Sequence, residues 1–308
     1  EITALDQSDF SWKLGTDFSI SNGIFGAHLS DNGLTSSFEN IEVPTHRHDV
    51  EMDLKRASFS IMKSINEEWD ASLMIPYFWK SQKASISFLE PADPLQVEYA
   101  ERSGYIHHRT ENYDGFGDME FMAGFKKRDL FKDGSILRLG MGLALPSGRT
   151  ESDPWILGDS GKKHLHIQFG NGTVDPLLNL YYGFQVNDSI GLGLYAKARL
   201  PLYHNNKGFR GSSELAISPM VNWTYNENLS FSAGLSIEYY GYSDWRMSGR
   251  DPNSGFLHAS ASFNLSYTLS ENLDVGLGFT KPVHQSFYGE GEDFEIAPSA
   301  TLSLRRSF

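Results

Sequence analysis

Residues 256–279, FLHASASFNLSYTLSENLDVGLGF, alternate between apolar and polar side chains on both sides of the tripeptide SEN. A period of two is typical of a β-strand with one apolar and one polar face, and two such runs joined by a polar turn predict a hairpin. The alternation recurs in ENLSFSAGLSIEYY, SIGLGLYAKARL, SILRLGMGLALP and EWDASLMIPYFW. Apolar faces of this regularity predict lipid outside and water inside, as in a closed transmembrane β-barrel.

Composition agrees with a barrel and excludes other classes of protein. The mean hydropathy is −0.37, and no apolar run approaches the roughly 18 residues that a membrane helix needs. A barrel strand needs no such apolar run, because only alternate residues of the strand face lipid. The net charge of −13 argues against nucleic-acid binding, which needs a concentrated basic surface. We expect residues 1–308 to form one domain, with 1–8 as a short periplasmic or lumenal N-terminal segment.

Turn residues divide the chain into twelve predicted strands, and the connections between them alternate in length. Short connections such as INEE, VNDS and YNEN alternate with long ones near 27–49, 87–115, 148–173, 204–211, 243–255 and 285–293. Outer-membrane barrels have an even number of antiparallel strands, short periplasmic turns and long external loops. The predicted strands lie near 9–26, 50–63, 68–86, 116–128, 134–147, 174–186, 189–203, 212–226, 228–242, 256–269, 272–284 and 294–308.

Aromatic residues support this orientation, because they collect at the two interfaces of a membrane barrel. Tyr77, Trp79 and Tyr239 fall at predicted outer strand ends. A further set falls at predicted periplasmic ends: Trp69, Tyr182, Phe184, Trp223, Tyr225 and Tyr267. The final strand ends in Phe308, and a C-terminal aromatic of this kind resembles the signal read by the bacterial barrel-assembly machinery.

The alternation changes phase once, in HDVEMDLKRASFSIM. Apolar residues at even positions, such as Met52, give way to apolar residues at odd positions, such as Phe59. An odd step of this kind predicts a β-bulge near Lys55 and Arg56. The alternative is an outer strand end that stands clear of lipid.

Three segments, in order, resemble the outer-membrane family of the MetA-pathway phenol-degradation ("transporter") group. They are DVEMDLKRASFSIMKSINEEWDASLMIPYF, DGFGDMEFMAGF, and LGMGLALPSGRT followed by FGNGTVDPLLNLYYGF. The resemblance runs from Asp49 to Phe184. It implies a monomeric small-barrel channel in the bacterial outer membrane, linked to uptake of aromatic or other hydrophobic compounds.

The polar phase of the strands predicts which charged side chains face the lumen. Opposed charges across a narrow lumen create a transverse field that sorts solutes. The same charges could instead form salt bridges that fill a closed interior. The predicted pore-lining residues are Arg56, Lys80, Asp118, Glu120, Arg138, Lys197, Arg199, Glu214, Glu238 and Arg305.

All ten histidines fall in predicted external loops or outer strand ends, and three pairs stand close in sequence. Closely spaced imidazoles with nearby carboxylates are suitable ligands for zinc or copper. Chance clustering of polar residues in long loops explains the pairs equally simply. The candidate metal ligands are His46, His48, His107, His108, His164 and His166.

An enzyme would need a nucleophile beside a base, and LHASASFN offers His258 and Ser260. The phase of the strand points this pair inward, away from lipid, so we predict no enzymatic activity and no cofactor. We predict an outer-membrane channel for passive uptake of small aromatic or weakly polar solutes. The expected partners are membrane lipid, lipopolysaccharide, the solute and, through Phe308, the assembly machinery. The alternatives are a non-conducting surface barrel whose His-rich loops bind metal or a partner, and an outer-membrane lipid hydrolase.

Overall fold

The computed structural model describes residues 12–30, 41–107, 109–290 and 292–308. The predicted N-terminal segment 1–8 and His108 lie outside these ranges. None of the described helices is both long and apolar enough to cross a membrane. The helices are α1 (Pro94–His107) and α2 (Pro154–Asp159), and the strands are β1 (Trp12–Ser30), β2 (His46–Ser64), β3 (Trp69–Phe88), β4 (Glu111–Phe116), β5 (Met119–Arg128), β6 (Ile136–Leu145), β7 (Asp175–Gln185), β8 (Ile190–Arg199), β9 (Phe209–Arg210), β10 (Glu214–Thr224), β11 (Leu229–Tyr240), β12 (Asp244–Trp245), β13 (Gly249–Arg250), β14 (Phe256–Ser270), β15 (Leu273–Phe287), β16 (Glu292–Ile296) and β17 (Ser299–Ser307).

The long strands form one closed antiparallel barrel. β4 and β5 both pair with β3, and β16 and β17 both pair with β1, so each of these pairs counts as one interrupted barrel strand. The ring closes at β1, where Thr16 pairs with Phe59 of β2 on one side and with Leu304 of β17 on the other. The result is a twelve-stranded barrel, as the sequence predicts. Closure pairs the backbone groups that an open edge would leave unsatisfied in lipid.

Successive residues of each strand face opposite sides of the barrel wall. On β6, Leu139, Met141 and Leu143 are exposed on the outer surface, whereas Gly140 and Ala144 are buried on the inner one. Aromatic side chains border the outer surface at both ends: Trp223 stacks on Phe231 at the periplasmic end, and Tyr77 meets Trp79 at the outer end. An apolar outer surface bordered by aromatic girdles is the lipid-facing surface of an outer-membrane barrel.

Three of the short connections at the periplasmic end share one turn design. In the β2–β3, β7–β8 and β10–β11 hairpins, the Oδ1 atoms of Asn66, Asn187 and Asn226 each accept bonds from the backbone N–H groups two and three residues later, at 2.8 to 3.0 Å. Asparagine favours such turns because its side chain can replace a backbone acceptor. The described parts of the long connections lie at the opposite end, which the sequence predicts to be external, and both helices lie in them.

The predicted bulge near Lys55 and Arg56 is wrong. β2 pairs with β3 residue for residue from His46 to Ser64, without a shift. The irregularity lies in β1, between Ser21 and Ile24, where Gly23 has a φ of +117°. The apolar phase changes because even-numbered residues at the outer end of β2 face an apolar cluster inside the barrel, to which Met52 belongs.

Candidate functional site

The connection between β6 and β7, residues 146–174, folds into the barrel, and we call it the inserted loop. Lys80 Nζ on β3 donates to the Gln168 carbonyl at 2.8 Å, and Arg109 Nη1 donates to the His164 carbonyl at 2.8 Å. The inserted loop thereby narrows the external half of the lumen. An apolar cluster packs it against the wall: Leu165, Ile167 and Phe169 of the loop with Tyr113, Met52 and Phe78.

An ionic network anchors the inserted loop to the inner wall. The Arg199 guanidinium on β8 donates to Asp118 Oδ2 at 2.6 Å and, through Nε, to Asp175 Oδ2 at 2.8 Å. Both carboxylates are fully buried. Asp118 also accepts the backbone N–H groups of Gly148, at 3.0 Å, and Asn171, at 2.7 Å. We call Asp118, Arg199 and Asp175 the loop anchor.

The glycine-rich motifs behind the family resemblance meet at this anchor. GFGD supplies Asp118, LPSGR supplies Gly148, and FGNG supplies Gly170 and Asn171. A Cβ on Gly170 would overlap Asp118 Oδ1 and lie 2.8 Å from the Gly148 Cα. Only glycine allows this backbone approach, so the motifs hold the inserted loop in place.

A second ion pair spans three strands nearer the periplasmic end. Arg138 Nη2 on β6 donates to Asp70 Oδ1 on β3 at 2.5 Å, and Arg138 Nε donates to Asp70 Oδ2 at 3.1 Å. Gly124 of β5 lies between them, where a Cβ would be 2.6 Å from the carboxylate and 2.7 Å from the guanidinium. The glycine therefore lets the pair form across an intervening strand.

The periplasmic half of the lumen contains a cavity of about 160 Å³. Its polar lining includes Gln185, Asn222, Asn264, Ser303 and Arg305. Inward Gly191 and Gly276 create part of this room, although neighbouring side chains occupy some of it, as Ser303 does beside Gly276. Polar side chains therefore make up part of the lining of this cavity, beside larger apolar ones such as Tyr181 and Met220.

A larger depression, of about 430 Å³, involves the outer surface of the wall. Small Ala196 and Ala198 lie between the larger side chains of Leu178, Leu215 and Ile217, which are exposed. The backbone pairing of β7, β8 and β10 is continuous here. This groove therefore belongs to the lipid-facing surface and opens no path through the wall.

Aromatic rings from four barrel strands line one side of the external half of the lumen. Tyr240 stacks on Phe256 with ring centroids 4.3 Å apart, and Phe256 lies 5.6 Å from Phe294, which stacks on Phe287 at 4.7 Å. His258 stacks beside Phe256 at 5.9 Å. We call these five residues the aromatic wall. Each is only partly buried.

Charges of opposite sign face each other across the barrel. Arg56 and Lys80 lie on β2 and β3, and Glu214 and Glu238 lie on β10 and β11. Counted around the ring of twelve strands, β2 is six strands from β10, and β3 is six from β11. Strands half a ring apart are diametrically opposed, so these side chains create a transverse field across the lumen.

All ten predicted pore-lining residues carry the inward phase of the wall, but their surroundings differ. Asp118 and Arg199 bind each other in the loop anchor, and Arg138 forms an ion pair with Asp70. Lys197 is exposed although it faces inward, which indicates open space beside it. The others lie along the same inner face: Arg56, Lys80, Glu120, Glu214, Glu238 and Arg305. That they line a conducting path stays a prediction.

The histidine pairs lie at the external end. The rings of His46 and His48 are 4.7 Å apart and buried, and His164 Nε2 lies 3.2 Å from His166 Nε2. Burial lowers the pKa of His164, and nearby Arg109 lowers it further, against a bond to the Lys162 carbonyl. Within the described residues, no group of three His, Cys, Asp or Glu side chains is arranged to hold a metal. The side chain of His107, like all of His108, lies outside the description.

His258 and Ser260 do not form a catalytic pair within the described structure. His258 Nε2 faces Glu238 at 3.9 Å, and its ring stacks in the aromatic wall. Ser260 is buried, and no hydrogen bond joins it to His258 among the described residues. The histidine therefore has a packing role in the lumen.

Comparison with solved structures identifies the fold. An outer membrane channel from Pseudomonas putida F1 superposes with a TM-score of 0.64 at 11% identity, with 100% of both chains covered. The NanC porin gives 0.46 at 10% identity over 94% of this chain and 100% of its own. The toluene transporter TodX of P. putida gives 0.46 at 10%, over 98% and 91%. No family model and no curated protein matches the sequence.

The first of these similarities confirms, at the level of the fold, the resemblance to outer-membrane channels. The chain has the fold of an outer-membrane channel, and its apolar outer surface with aromatic borders is that of a barrel in the bacterial outer membrane. The aromatic wall is the feature that sequence reasoning missed. Its signal was present in Tyr240, Phe256 and Phe294, which interrupt the polar phase of their strands.

Proposed function

We propose that this protein is an outer-membrane channel for passive uptake of small aromatic or weakly polar solutes. The observation that carries the proposal is the division of the lumen into two halves. A partly exposed aromatic wall lines the external half, and a cavity partly lined by polar side chains lies in the periplasmic half. Aromatic rings pack favourably against other rings, and a solute that leaves them enters water.

The inserted loop gives the channel its selectivity. The loop anchor holds it against β4, β5 and β8, opposite the aromatic wall on β11, β14, β15 and β16. A solute crossing the external half passes between them. The shape of this passage and the transverse field across the lumen therefore select among solutes, and the mechanism requires no chemical step.

Single-channel conductance in planar bilayers tests the proposal. Purified protein at high KCl should give stable ohmic steps, and added phenol should lower the conductance in a saturable way. Phe256→Ala should weaken the effect of phenol, because it removes a ring of the aromatic wall. Phe263→Ala changes a phenylalanine that is exposed on the outer surface of the same strand, and should leave the effect unchanged. The absence of conductance steps from the wild-type protein would contradict a conducting lumen.

The same proposal covers the surroundings of the barrel. The exposed apolar outer surface contacts membrane lipid, with lipopolysaccharide at the external end, around a monomer. Phe308 is 49% exposed at the end of β17 and is the proposed contact for the assembly machinery. Deleting Phe308 should lower the yield of folded barrel in the membrane, as measured by heat-modifiable migration on gels.

A non-conducting barrel that binds metal at its external end is the competing proposal. Its support is the 3.2 Å separation of His164 Nε2 and His166 Nε2, which suits two ligands of one ion. Zinc usually takes at least three protein ligands, and this pair supplies two. Saturable zinc binding that is lost in His164→Ala would favour it, and calorimetry without binding would end it.

A further inference from the structure

Arg56 is a cation in the external half of the lumen that has no acidic partner among the described residues. Its Nη2 contacts the Met74 sulfur, at 3.5 Å, and its guanidinium lies 5.7 Å from the Phe78 ring centroid. Arg56 Nε is buried without a hydrogen-bond acceptor, and no described carboxylate pairs with this side chain. An unsatisfied buried donor on a charged group is costly, so this arginine is arranged for an acceptor that the described part of the chain does not supply.

Lys80 adds a second cation beside the same ring. Its Nζ lies 5.6 Å from the Phe78 centroid and 4.6 Å from the Phe169 centroid, and donates to the Gln168 carbonyl. Like Arg56, it pairs with none of the described carboxylates. Two cations flanking one phenylalanine make a site that attracts an anion and offers it charge-assisted bonds.

The wall opposite this site is aromatic. Arg56 is close enough to Tyr240 for the two side chains to interact electrostatically. Glu238 accepts a 2.9 Å bond from the Tyr240 hydroxyl and a 3.1 Å bond from Ser236 Oγ. Its charge repels an anion from the aromatic wall and thereby directs the anion toward Arg56.

We propose that Arg56 and Lys80 bind the carboxylate of an aromatic monocarboxylate, whose ring lies against Tyr240 and Phe256. This subsite rests on the proposed function and narrows its solutes to aromatic acids. The transverse field orients the solute, with its carboxylate toward β2 and β3 and its apolar ring toward β11 and β14.

Calorimetric titration of the folded protein in detergent tests the subsite, with benzoate and the neutral benzyl alcohol as probes at pH 7. Benzoate should bind saturably and at least about tenfold more tightly than benzyl alcohol, the ratio expected of one charged hydrogen bond. Arg56→Gln should weaken benzoate binding by about tenfold or more. Lys55→Gln removes a cation from the neighbouring, outward-facing residue and should leave the affinity unchanged.

Equal affinity of the wild-type protein for the two probes would overturn the proposal, even if Arg56→Gln failed to fold. Undiminished benzoate binding by folded Arg56→Gln would also overturn it. Binding in micelles needs no conducting path, so the hypothesis of a channel and the hypothesis of a carboxylate subsite are tested independently. Benzoate binding by a protein silent in bilayers would refute the channel alone, and conductance without benzoate binding would refute the subsite alone.

Discussion

Asp118 and Arg199 are 81 positions apart in the sequence and joined by a 2.6 Å bond inside the barrel. The carboxylate also accepts two backbone N–H groups of the inserted loop, from Gly148 and Asn171. A buried carboxylate that accepts this many hydrogen bonds is stable as an anion, and it holds the donating groups, here those of the inserted loop, in place. This pair therefore helps to hold the inserted loop in the external half of the lumen, together with the bonds from Lys80 and Arg109.

The first prediction concerns the loop anchor. Asp118→Asn keeps the shape of the side chain but removes its charge, which weakens the bonds to Arg199 and to the inserted loop. We expect the free energy of unfolding in urea to fall by about 2 kcal/mol, in the range of charged hydrogen bonds. Single-channel conductance should rise and become noisier. Asp188→Asn, in an exposed periplasmic turn, is the control, and an unchanged conductance in Asp118→Asn would show that the loop does not limit the current.

The close approach of two backbones at the anchor gives the second prediction. Gly170→Ala introduces a Cβ that overlaps Asp118 and crowds Gly148. Overpacking of this kind costs about 1–3 kcal/mol, so the temperature at which the folded band disappears in heat-modifiability gels should fall. Gly26→Ala meets only one atom, at 4.0 Å, and should behave as wild type. Equal melting of the two variants would contradict the described contact.

Ion selectivity is the third prediction. Lys197 faces the lumen and is exposed there, so Lys197→Gln removes a positive charge beside the solute path. The reversal potential across a KCl gradient should shift toward cation selectivity, because charges on the lumen wall set ion selectivity. Lys55→Gln removes the same charge from the outer surface. A shift of equal size in both variants would refute a specific role of Lys197.

The fourth prediction is a pH dependence of the inserted loop. Burial lowers the pKa of His164 below its unfolded value of about 6.5. The unfolded chain then binds more protons than the folded one, so this contribution to stability is present above about pH 6.5 and is lost as the pH falls through the lower folded value. The urea midpoint should drop between pH 7.5 and 5.5. His164→Gln should reduce that drop, whereas His284→Gln, at an exposed position, should not; equal drops in all three proteins would contradict the assignment.

The sequence alone determined the barrel and the two faces of its wall. In a strand, successive side chains point to opposite sides, so the alternation from 256 to 279 fixed which residues meet lipid without knowledge of the partner strands. The repeated asparagines of the short turns fixed the hairpins in the same local way. The inward phase of Arg56, Lys197 and Glu238 followed directly.

Only the tertiary structure decided what those inward residues meet. Closure of the ring brings β2 opposite β10 and joins β16 to β1, which assembles the aromatic wall from rings that stand far apart in the sequence, each in the polar phase of its own strand. The inserted loop has no periodicity, so its entry into the lumen depends on the distant pair of Asp118 and Arg199. Local geometry sets the direction of a side chain, whereas its partners depend on the closure and stagger of the whole barrel.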